Sequence, residues 1–256
     1  MNLVLEEKVK EIVGDIISVN MLAEQGCTSE VSQIITKNGS YLIKSSFNKK
    51  YREWLKQEAV VLEKINELNL IQVPKYYGFI EEIDSSHLIM SFENGITLTS
   101  ALKNAKNNVE KISLIRSFGQ LLCQLHKTQI PTSFDSSTNW LDEQLSKAKY
   151  YVESGQTKSS SQLLETLKSN KPLSVKQTFI HGDCTTDNVL VVDGEVRVFI
   201  DVSGMTVGDP RYDESLAIRN FVNNDVFKEA FYEGYKRYKV TKDEFKYFDE
   251  GLYEFF

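Results

Sequence analysis

The segment from His181 to Asp201 constrains this chain more than any other part of it. Asp193-Gly194 stands between two runs rich in β-branched residues, which is a strong signal for a two-residue hairpin turn. Counting outward from that turn places Asn188 opposite Phe199. Asp201 then lies just past Phe199, so an amide and a carboxylate are expected at the same open end of the hairpin.

Oxygen ligands of this kind suit Mg²⁺ that is held jointly by a protein and by nucleotide phosphates. Asp183 precedes Asn188 in the loop that leads into the hairpin. Their spacing is typical of the protein-kinase catalytic loop, in which the Asp accepts the proton of the substrate hydroxyl. The pattern therefore indicates phosphoryl transfer, with Asp183 as the catalytic base and with Asn188 and Asp201 as metal ligands.

The departures from the protein-kinase pattern indicate which class of substrate the enzyme phosphorylates. Gly182 stands where protein kinases carry an Arg that reads a phosphorylated activation loop. No Asp-Phe-Gly follows Ile200, and no Ala-Pro-Glu appears downstream. These features argue against a protein kinase and favour a kinase of small molecules.

Five segments resemble the aminoglycoside phosphotransferase family, whose signature is His-Gly-Asp, four residues and then Asn. The resemblance is closest to the aminoglycoside 3'-phosphotransferases. It rests on the signature itself (181–188) and on the metal-ligand and acidic segments that follow it (200–204 and 208–213). Two further segments, 139–142 and 253–256, are typical of that branch. It also implies that Asp213 anchors the backbone of the catalytic loop.

The resemblance implies an α+β, two-lobed, protein-kinase-like fold. Residues 1–93 would form a small nucleotide-binding N-lobe with an antiparallel sheet, and residues 94–256 a mainly helical lobe for catalysis and substrate binding. Hydrophobic periodicity agrees with this order. It predicts an N-terminal helix carrying Val9 to Ile17, strands at 31–36 and 40–44, a helix at 51–68, strands at 76–80 and 87–92, and mostly helices after Asn94-Gly95.

The nucleotide half of the site is expected in the N-lobe. Lys44, at the end of a predicted strand, would bind the α- and β-phosphates, and Glu58 is preferred over Glu53 and Glu63 as the carboxylate that holds it. A loop predicted between helix and strand would cover the phosphates, and the linker after the last strand would bind adenine. The candidates there are Gly26, Thr28 or Ser29 for the β-phosphate, and Ser91 and Glu93 for the base.

The acceptor half is expected in the C-lobe. The resemblance implies that Arg219, Glu254 and the carboxylate of Phe256 bind the substrate, with acidic groups favouring a cation. Tyr253 is a departure, because the family pattern has an acid at this place beside Glu254.

Composition excludes several classes of protein. A net charge of −6 and a pI near 5.3 argue against a nucleic-acid partner, which requires a basic surface. Three scattered cysteines match no metal or disulfide spacing and fit a reducing cytoplasm. We expect no membrane association, since no apolar stretch is long enough to span a bilayer. The sequence is compatible with either a monomer or a dimer.

The leading hypothesis is an enzyme that uses ATP, or GTP, and Mg²⁺ to phosphorylate a hydroxyl of an aminoglycoside antibiotic and so confers resistance. The alternative within the same chemistry is a metabolic kinase for choline, homoserine or a sugar-type acceptor. A third hypothesis, from a different class, is a catalytically silent binding protein of the same fold.

Overall fold

The structure is a computed structural model that describes residues 3–134 and 138–256. Within those residues, no helix combines the length and the apolar character needed to cross a membrane. The chain divides into two compact units. The first runs up to Gly95 and includes Val198–Ser203, and the second comprises Ile96–Arg197 and Gly204–Phe256.

The first unit is built on a five-stranded antiparallel sheet in the order β1-β2-β3-β5-β4. In chain order its elements are α1 (Leu3–Val13), β1 (Ile16–Met21), β2 (Glu30–Thr36), β3 (Gly39–Ser46), α2 (Lys49–Leu68), β4 (Tyr76–Glu81) and β5 (Ser86–Ser91). Helix α2 contacts β3, β4 and β5. The predicted hairpin at Asn38-Gly39 is confirmed, because β2 and β3 pair from Thr36 and Gly39 outward.

The N-terminal helix is shorter than the sequence predicts. Helix α1 ends at Val13, and the next residue, Gly14, has a φ of +84°, which suits glycine and ends the helix. Ile16 and Ile17 therefore belong to β1 and not to the helix, and this part of the prediction is wrong.

Helix α2 starts and ends at asparagines that cap it. The side chain of Asn48 accepts a hydrogen bond from the backbone N–H of Lys50, and Asn69 adopts a left-handed conformation after the last turn. Glu58 lies on the buried face of this helix among aliphatic residues, and only 3% of it is exposed. A carboxylate in such surroundings requires a partner.

The second unit is mainly helical. Its elements are β6 (Ile96–Thr97), α3 (Leu98–Asn104), α4 (Asn108–Lys127), α5 (Trp140–Glu153), α6 (Ser161–Ser169), β7 (Thr178–Ile180), β8 (Val189–Val192), β9 (Glu195–Phe199), β10 (Thr206–Gly208), α7 (Pro210–Ile218), α8 (Asp225–Tyr235) and α9 (Lys242–Phe248). The last two residues of β9, Val198 and Phe199, belong to the first unit. A 3₁₀ turn at Leu252–Phe255 ends the chain. A strand-rich part followed by a mainly helical part is the predicted order.

Strands β8 and β9 form the hairpin predicted from Asp193-Gly194. Both turn residues have positive φ, +53° and +81°, as a type I′ turn requires. Strand β8 lies between β6 and β9, and a separate pair is formed by β7 and β10. The short strands β6, β7 and β10 were not predicted.

Candidate active site

One buried carboxylate binds the backbone of the loop between β7 and β8. Asp213 on α7 is fully buried, and its two oxygens accept the backbone N–H groups of His181 and Gly182 at 2.6 and 2.8 Å. His126 lies 3.2 Å from the same carboxylate through its Nε2 atom. The anchoring role expected for Asp213 is confirmed. This clamp fixes the loop immediately before Asp183.

Gly182 is required by the shape of this loop. Its φ is +80°, and a Cβ atom there would lie 2.4 Å from the backbone oxygen of Gly204. Any side chain would therefore push the loop away from the segment that carries Gly204. The close approach gives a physical reason for glycine at a position where protein kinases carry Arg.

Asp183 and Asn188 contact each other across the loop. The side-chain nitrogen of Asn188 donates to the backbone oxygen of Asp183 at 2.9 Å and to its Oδ2 atom at 2.8 Å. Because the amide nitrogen of Asn188 is engaged in this way, its amide oxygen is the atom that can bind a cation. The structure thus orients the Asp183 carboxylate and the Asn188 amide together.

Lys44 on β3 is held by two carboxylates within the first unit. Its Nζ atom lies 2.7 Å from Glu58 Oε2 and 3.2 Å from Asp201 Oδ1. Burial by itself lowers the pKa of this amine, but the charges of Asp201 and Glu58 outweigh it and raise the pKa above its ordinary value. Burial raises the pKa of Glu58, and the adjacent ammonium opposes that change. Lys44 therefore carries a fixed positive charge.

Asp201 differs from its partner Glu58 in exposure. The side chain of Asp201 is 41% exposed, whereas that of Glu58 is 4% exposed. Asp201 also adopts a φ of +56°, a conformation uncommon for residues other than glycine but tolerated by Asp. Glu58 is a buried counter-charge, and Asp201 is the carboxylate that solvent and ligands can reach.

The candidate phosphate-covering segment joins β1 to β2 and so lies at the tip of a hairpin. The prediction that it lies between a helix and a strand is wrong, because residues 16–21 before it form β1 and not the end of a helix. Ser29 is buried, and its hydroxyl lies 2.5 Å from that of Ser46. Thr28 is only partly buried, and Gly26 is exposed. Of the two hydroxyls considered, the structure favours Thr28 for contact with a ligand.

The candidate adenine-binding residues lie at the end of β5, where Ser91 is the last residue of the strand and Glu93 lies two residues beyond it. The backbone N–H of Ser91 donates to Lys75 O, and the backbone N–H of Lys75 donates to the Ser91 hydroxyl at 2.7 Å. The same hydroxyl donates to the Glu93 carboxylate. The side chain of Ser91 thus satisfies the Lys75 amide, a role that its carbonyl would have in a regular strand pair.

Arg219, at the end of α7, packs against two residues near the C-terminus. It forms an ion pair with Asp249 at 3.2 Å, and its guanidinium lies 4.6 Å from the ring centre of Tyr253. Burial, and after it the negative charge of Asp183, raises the pKa of the Tyr253 phenol to about 12. Arg219 and Tyr253 therefore pack together, and Tyr253 lies near enough to the catalytic loop for the charge of Asp183 to act on it.

The other two acceptor candidates lie at the chain end. Glu254 is exposed, and its backbone oxygen accepts a hydrogen bond from Ser159. The ring of Phe256 packs on Tyr151 at 5.7 Å, and the ammonium of Lys147 lies 5.3 Å from its centre.

Comparison with known proteins identifies the family to which this chain belongs. The model of the phosphotransferase enzyme family matches residues 22–248. The chain belongs to this family. This membership, together with the likeness to the solved structures described next, confirms the kinase-like α+β fold class.

The chain is similar to curated aminoglycoside 3'-phosphotransferases from Enterococcus faecalis and Staphylococcus aureus. It is 27% identical to each over 176 residues. The match covers 64% of this chain and spans about 64% of the length of those relatives.

Solved structures share the fold. A crystal structure of an aminoglycoside-3'-phosphotransferase of type VIII matches with a TM-score of 0.75 and 18% identity, covering 100% of both chains. A putative fructosamine-3-kinase from Haemophilus somnus 129PT matches with a TM-score of 0.62 and 20% identity, covering 92% of this chain and 83% of that chain.

The residues present fit a magnesium nucleotide, which this family implies. Lys44 would supply a fixed cation for phosphate oxygens, and Asp201 would supply an exposed carboxylate. Asn188 would supply an amide oxygen, since its nitrogen donates to Asp183. Hard oxygen donors of this kind are what Mg²⁺ prefers. A common metal site of Asn188 and Asp201 stays a prediction.

Sequence reasoning missed the proximity of Tyr253 to Asp183. The only signal available was that Tyr253 departs from the family pattern at a place where an acid is expected. It also missed the link between Lys44 and Asp201, although both residues were selected separately.

Proposed function

We propose that this protein is an ATP-dependent O-phosphotransferase that transfers the γ-phosphate to a hydroxyl of a small molecule. The observation that carries the proposal is the catalytic loop. Asp183 is oriented by Asn188 within a loop whose backbone Asp213 clamps.

Asp183 acts as the base in this proposal, although a carboxylate is weakly basic. The transition state of phosphoryl transfer is loose, so the proton is needed late, and the rate depends mostly on position and on charge neutralisation. A carboxylate that accepts a hydrogen bond from the acceptor hydroxyl and takes its proton late is sufficient.

The nucleotide is assigned to residues of the first unit. Lys44, held by Glu58, would bind the α- and β-phosphates, and Thr28 or Ser29 with Gly26 would contact the β-phosphate. The backbone at Ser91 and Glu93 would hold the base of ATP or GTP. Asn188 and Asp201 would bind Mg²⁺, which when bound neutralises charge on the transferred phosphate.

We further propose that the acceptor is an aminoglycoside and that the activity confers resistance. The likeness to curated aminoglycoside 3'-phosphotransferases supports this choice. Arg219, Glu254 and the carboxylate of Phe256 are the candidate contacts, and Glu254 is exposed as such a role requires.

One set of observations favours the alternative, a metabolic kinase of choline, homoserine or a sugar-type acceptor. Near the chain end, Tyr253 is a phenol, Asp249 is already paired with Arg219, and Lys147 lies beside Phe256. Fewer unpaired acids attract a polycation less strongly. The likeness to a putative fructosamine-3-kinase supports this alternative, since one fold can serve different substrates.

A coupled assay of ADP formation with Mg-ATP tests both candidates. Kanamycin-like, neomycin-like and spectinomycin-like drugs would be compared with choline, homoserine and a sugar amine, with Asp183→Asn as the control. Turnover of an aminoglycoside that Asp183→Asn abolishes would support the proposal. Turnover of a metabolite alone would favour the alternative, and full turnover by Asp183→Asn would contradict the assignment of the base.

A further inference from the structure

The middle of the catalytic loop, between Asp183 and Asn188, contains a buried threonine. Only 2% of Thr186 is exposed. The two ends of the loop have their own anchors, since Asp213 binds the backbone before Asp183 and strand β8 begins directly after Asn188. The contacts of Thr186 therefore bear on the position of the residues that lie between these anchors.

Thr186 contacts the first turn of α3 in two ways. The first N–H groups of a helix have no partner within it, and that of Thr99, the second residue of α3, donates to the backbone oxygen of Thr186 at 3.1 Å. The hydroxyls of the two residues lie 2.7 Å apart and form a hydrogen bond, whichever of them donates. Both the backbone and the side chain of Thr186 thus attach the loop to a helix.

The Thr186 hydroxyl has a second partner in the turn after α7. The side-chain nitrogen of Asn220 donates to it at 2.9 Å. Asn220 directly follows Arg219, the acceptor candidate that forms an ion pair with Asp249. A hydroxyl has one donor and two lone pairs, so that of Thr186 can bind Asn220 and Thr99 at the same time. One buried hydroxyl therefore connects the loop to α3 and to the turn that carries Arg219.

Hydrogen bonds within the loop couple Thr186 to the functional residues on either side of it. The backbone N–H of Thr185 donates to Asp183 O at 2.9 Å, and that of Asn188 donates to Thr185 O at 3.2 Å. The side chains of Asp183 and Asn188 are joined as well, at 2.8 Å. Because Thr186 lies inside this hydrogen-bonded unit, a shift of its backbone also moves Asp183 and Asn188 relative to each other.

We propose that Thr186 is a positioning residue, whose hydroxyl holds the catalytic loop so that Asp183 and Asn188 keep the geometry that phosphoryl transfer requires. This inference rests on the proposed function. The rate of phosphoryl transfer depends mostly on position and on charge neutralisation, so a small shift of the loop lowers kcat. The residues assigned to the base and to the α- and β-phosphates belong to the first unit, so the KM for ATP should stay close to that of wild type.

Thr186→Val removes the hydroxyl and keeps the shape of the side chain. Its partners Thr99 and Asn220 are exposed, so water can replace the hydrogen bonds that they lose. With Mg-ATP and kanamycin, choline or homoserine as the acceptor, we expect kcat to fall on the order of tenfold, equivalent to about 1.4 kcal/mol. Thr186→Ser keeps the hydroxyl and should restore most of the activity.

Asn220→Ala removes one of the two partners of the hydroxyl and should lower kcat roughly threefold. Added to Thr186→Val, it should have little further effect, because the bond between the two residues is already lost. Since Asn220 is exposed, this variant also tests the inference if Thr186→Val fails to fold.

Hydrogen exchange of the backbone amides tests the position of the loop without any acceptor. The amides of Thr185 and Asn188 exchange only when their hydrogen bonds within the loop open. In Thr186→Val we expect peptides from this loop to exchange on the order of tenfold faster than in wild type, whereas Thr186→Ser should resemble wild type.

Thr178→Val is the matched control. Thr178, on β7, is also a buried threonine of the second unit, and in the part of the chain that the structure describes its hydroxyl has no hydrogen-bond partner. The same substitution at this place should leave both kcat and the exchange of the loop unchanged.

The outcomes separate this inference from the proposed function. If Thr186→Val matches Thr178→Val in kcat or in loop exchange, the inference is overturned while the proposed function stands. It is also overturned if Thr186→Ser loses as much activity as Thr186→Val, because the hydroxyl would then not be the group that acts. If wild type forms no ADP from Mg-ATP with any of the acceptors, the proposed function is overturned and this inference with it.

Discussion

Replacing Glu58 by Gln tests whether Lys44 is shared between a buried and an exposed carboxylate. The change removes one negative charge 2.7 Å from the Lys44 ammonium and keeps the shape of the side chain. Asp201, at 3.2 Å, is then the only one of the two carboxylates that still pairs with Lys44. We expect a loss of stability and a stronger hold of Lys44 on Asp201.

The magnitude follows from the two distances. At an effective dielectric constant of about 20, a charge pair at either distance attracts by roughly 5–6 kcal/mol, so Glu58 and Asp201 hold Lys44 almost equally. Removing one partner of a buried pair costs about 3–5 kcal/mol. Because Asp201 remains, we expect about half of that, ~2 kcal/mol, and a fall in Tm of roughly 4–8 °C.

The second effect concerns the metal. If Asp201 binds Mg²⁺, the ion competes with Lys44 for this carboxylate. Without Glu58, Lys44 binds Asp201 more strongly, so Mg²⁺ displaces it less easily. We expect the Mg²⁺ concentration for half-maximal turnover to rise on the order of tenfold, equivalent to about 1.4 kcal/mol.

Thermal unfolding and a Mg²⁺ titration of turnover measure the two effects, with Glu53→Gln as the control. Glu53 lies on the same helix but is exposed, so its variant should behave as wild type. If Glu58→Gln matched Glu53→Gln in both measurements, the buried pair would contribute nothing and the reasoning would be refuted. A changed Tm with unchanged Mg²⁺ dependence would refute only the sharing of Asp201.

Two further predictions concern the second unit. Burial raises the pKa of Glu214 from 4.5 to about 8, so its contribution to stability is full below about pH 4.5 and is lost as the pH rises to about 8. Glu214→Gln should therefore gain a few kcal/mol over wild type between pH 5 and 8.5 in urea unfolding, and parallel pH profiles would contradict this. Gly182→Ala should reduce turnover at least tenfold and lower Tm more than Gly155→Ala, which shares a positive φ but has no neighbour within 4 Å of its Cβ; equal effects would show that the contact with Gly204 is unimportant.

The site residues that the sequence predicted are those fixed by local rules. The turn at Asp193-Gly194 needs only two neighbouring residues with positive φ, and the spacing of Asp183 and Asn188 is set within one loop. Lys44 could be selected because it lies near the end of a strand whose hairpin is marked by Asn38-Gly39. Each of these signals lies within a few residues of the group that it predicts.

The N-terminal error has a local cause as well. Val9, Ile12, Val13, Ile16 and Ile17 follow helical spacing, but a short apolar pattern does not distinguish a long helix from a helix followed by a strand. Gly14 was the residue that could decide, since glycine commonly follows the last turn of a helix. Missing β1 also misplaced the phosphate-covering segment, because a loop can be recognised as a hairpin only when both of its strands are known.

Tyr253 shows where local rules stop. Its proximity to Asp183 depends on the packing of the C-terminal turn against distant residues, among them Ser159 and Tyr247. No periodicity or motif encodes such a contact, and a substitution relative to a family pattern reports only that something differs. A phenol in place of an acid near the base removes a negative charge. Loss of this charge weakens the attraction for a polycation, so the substitution bears on the choice of substrate.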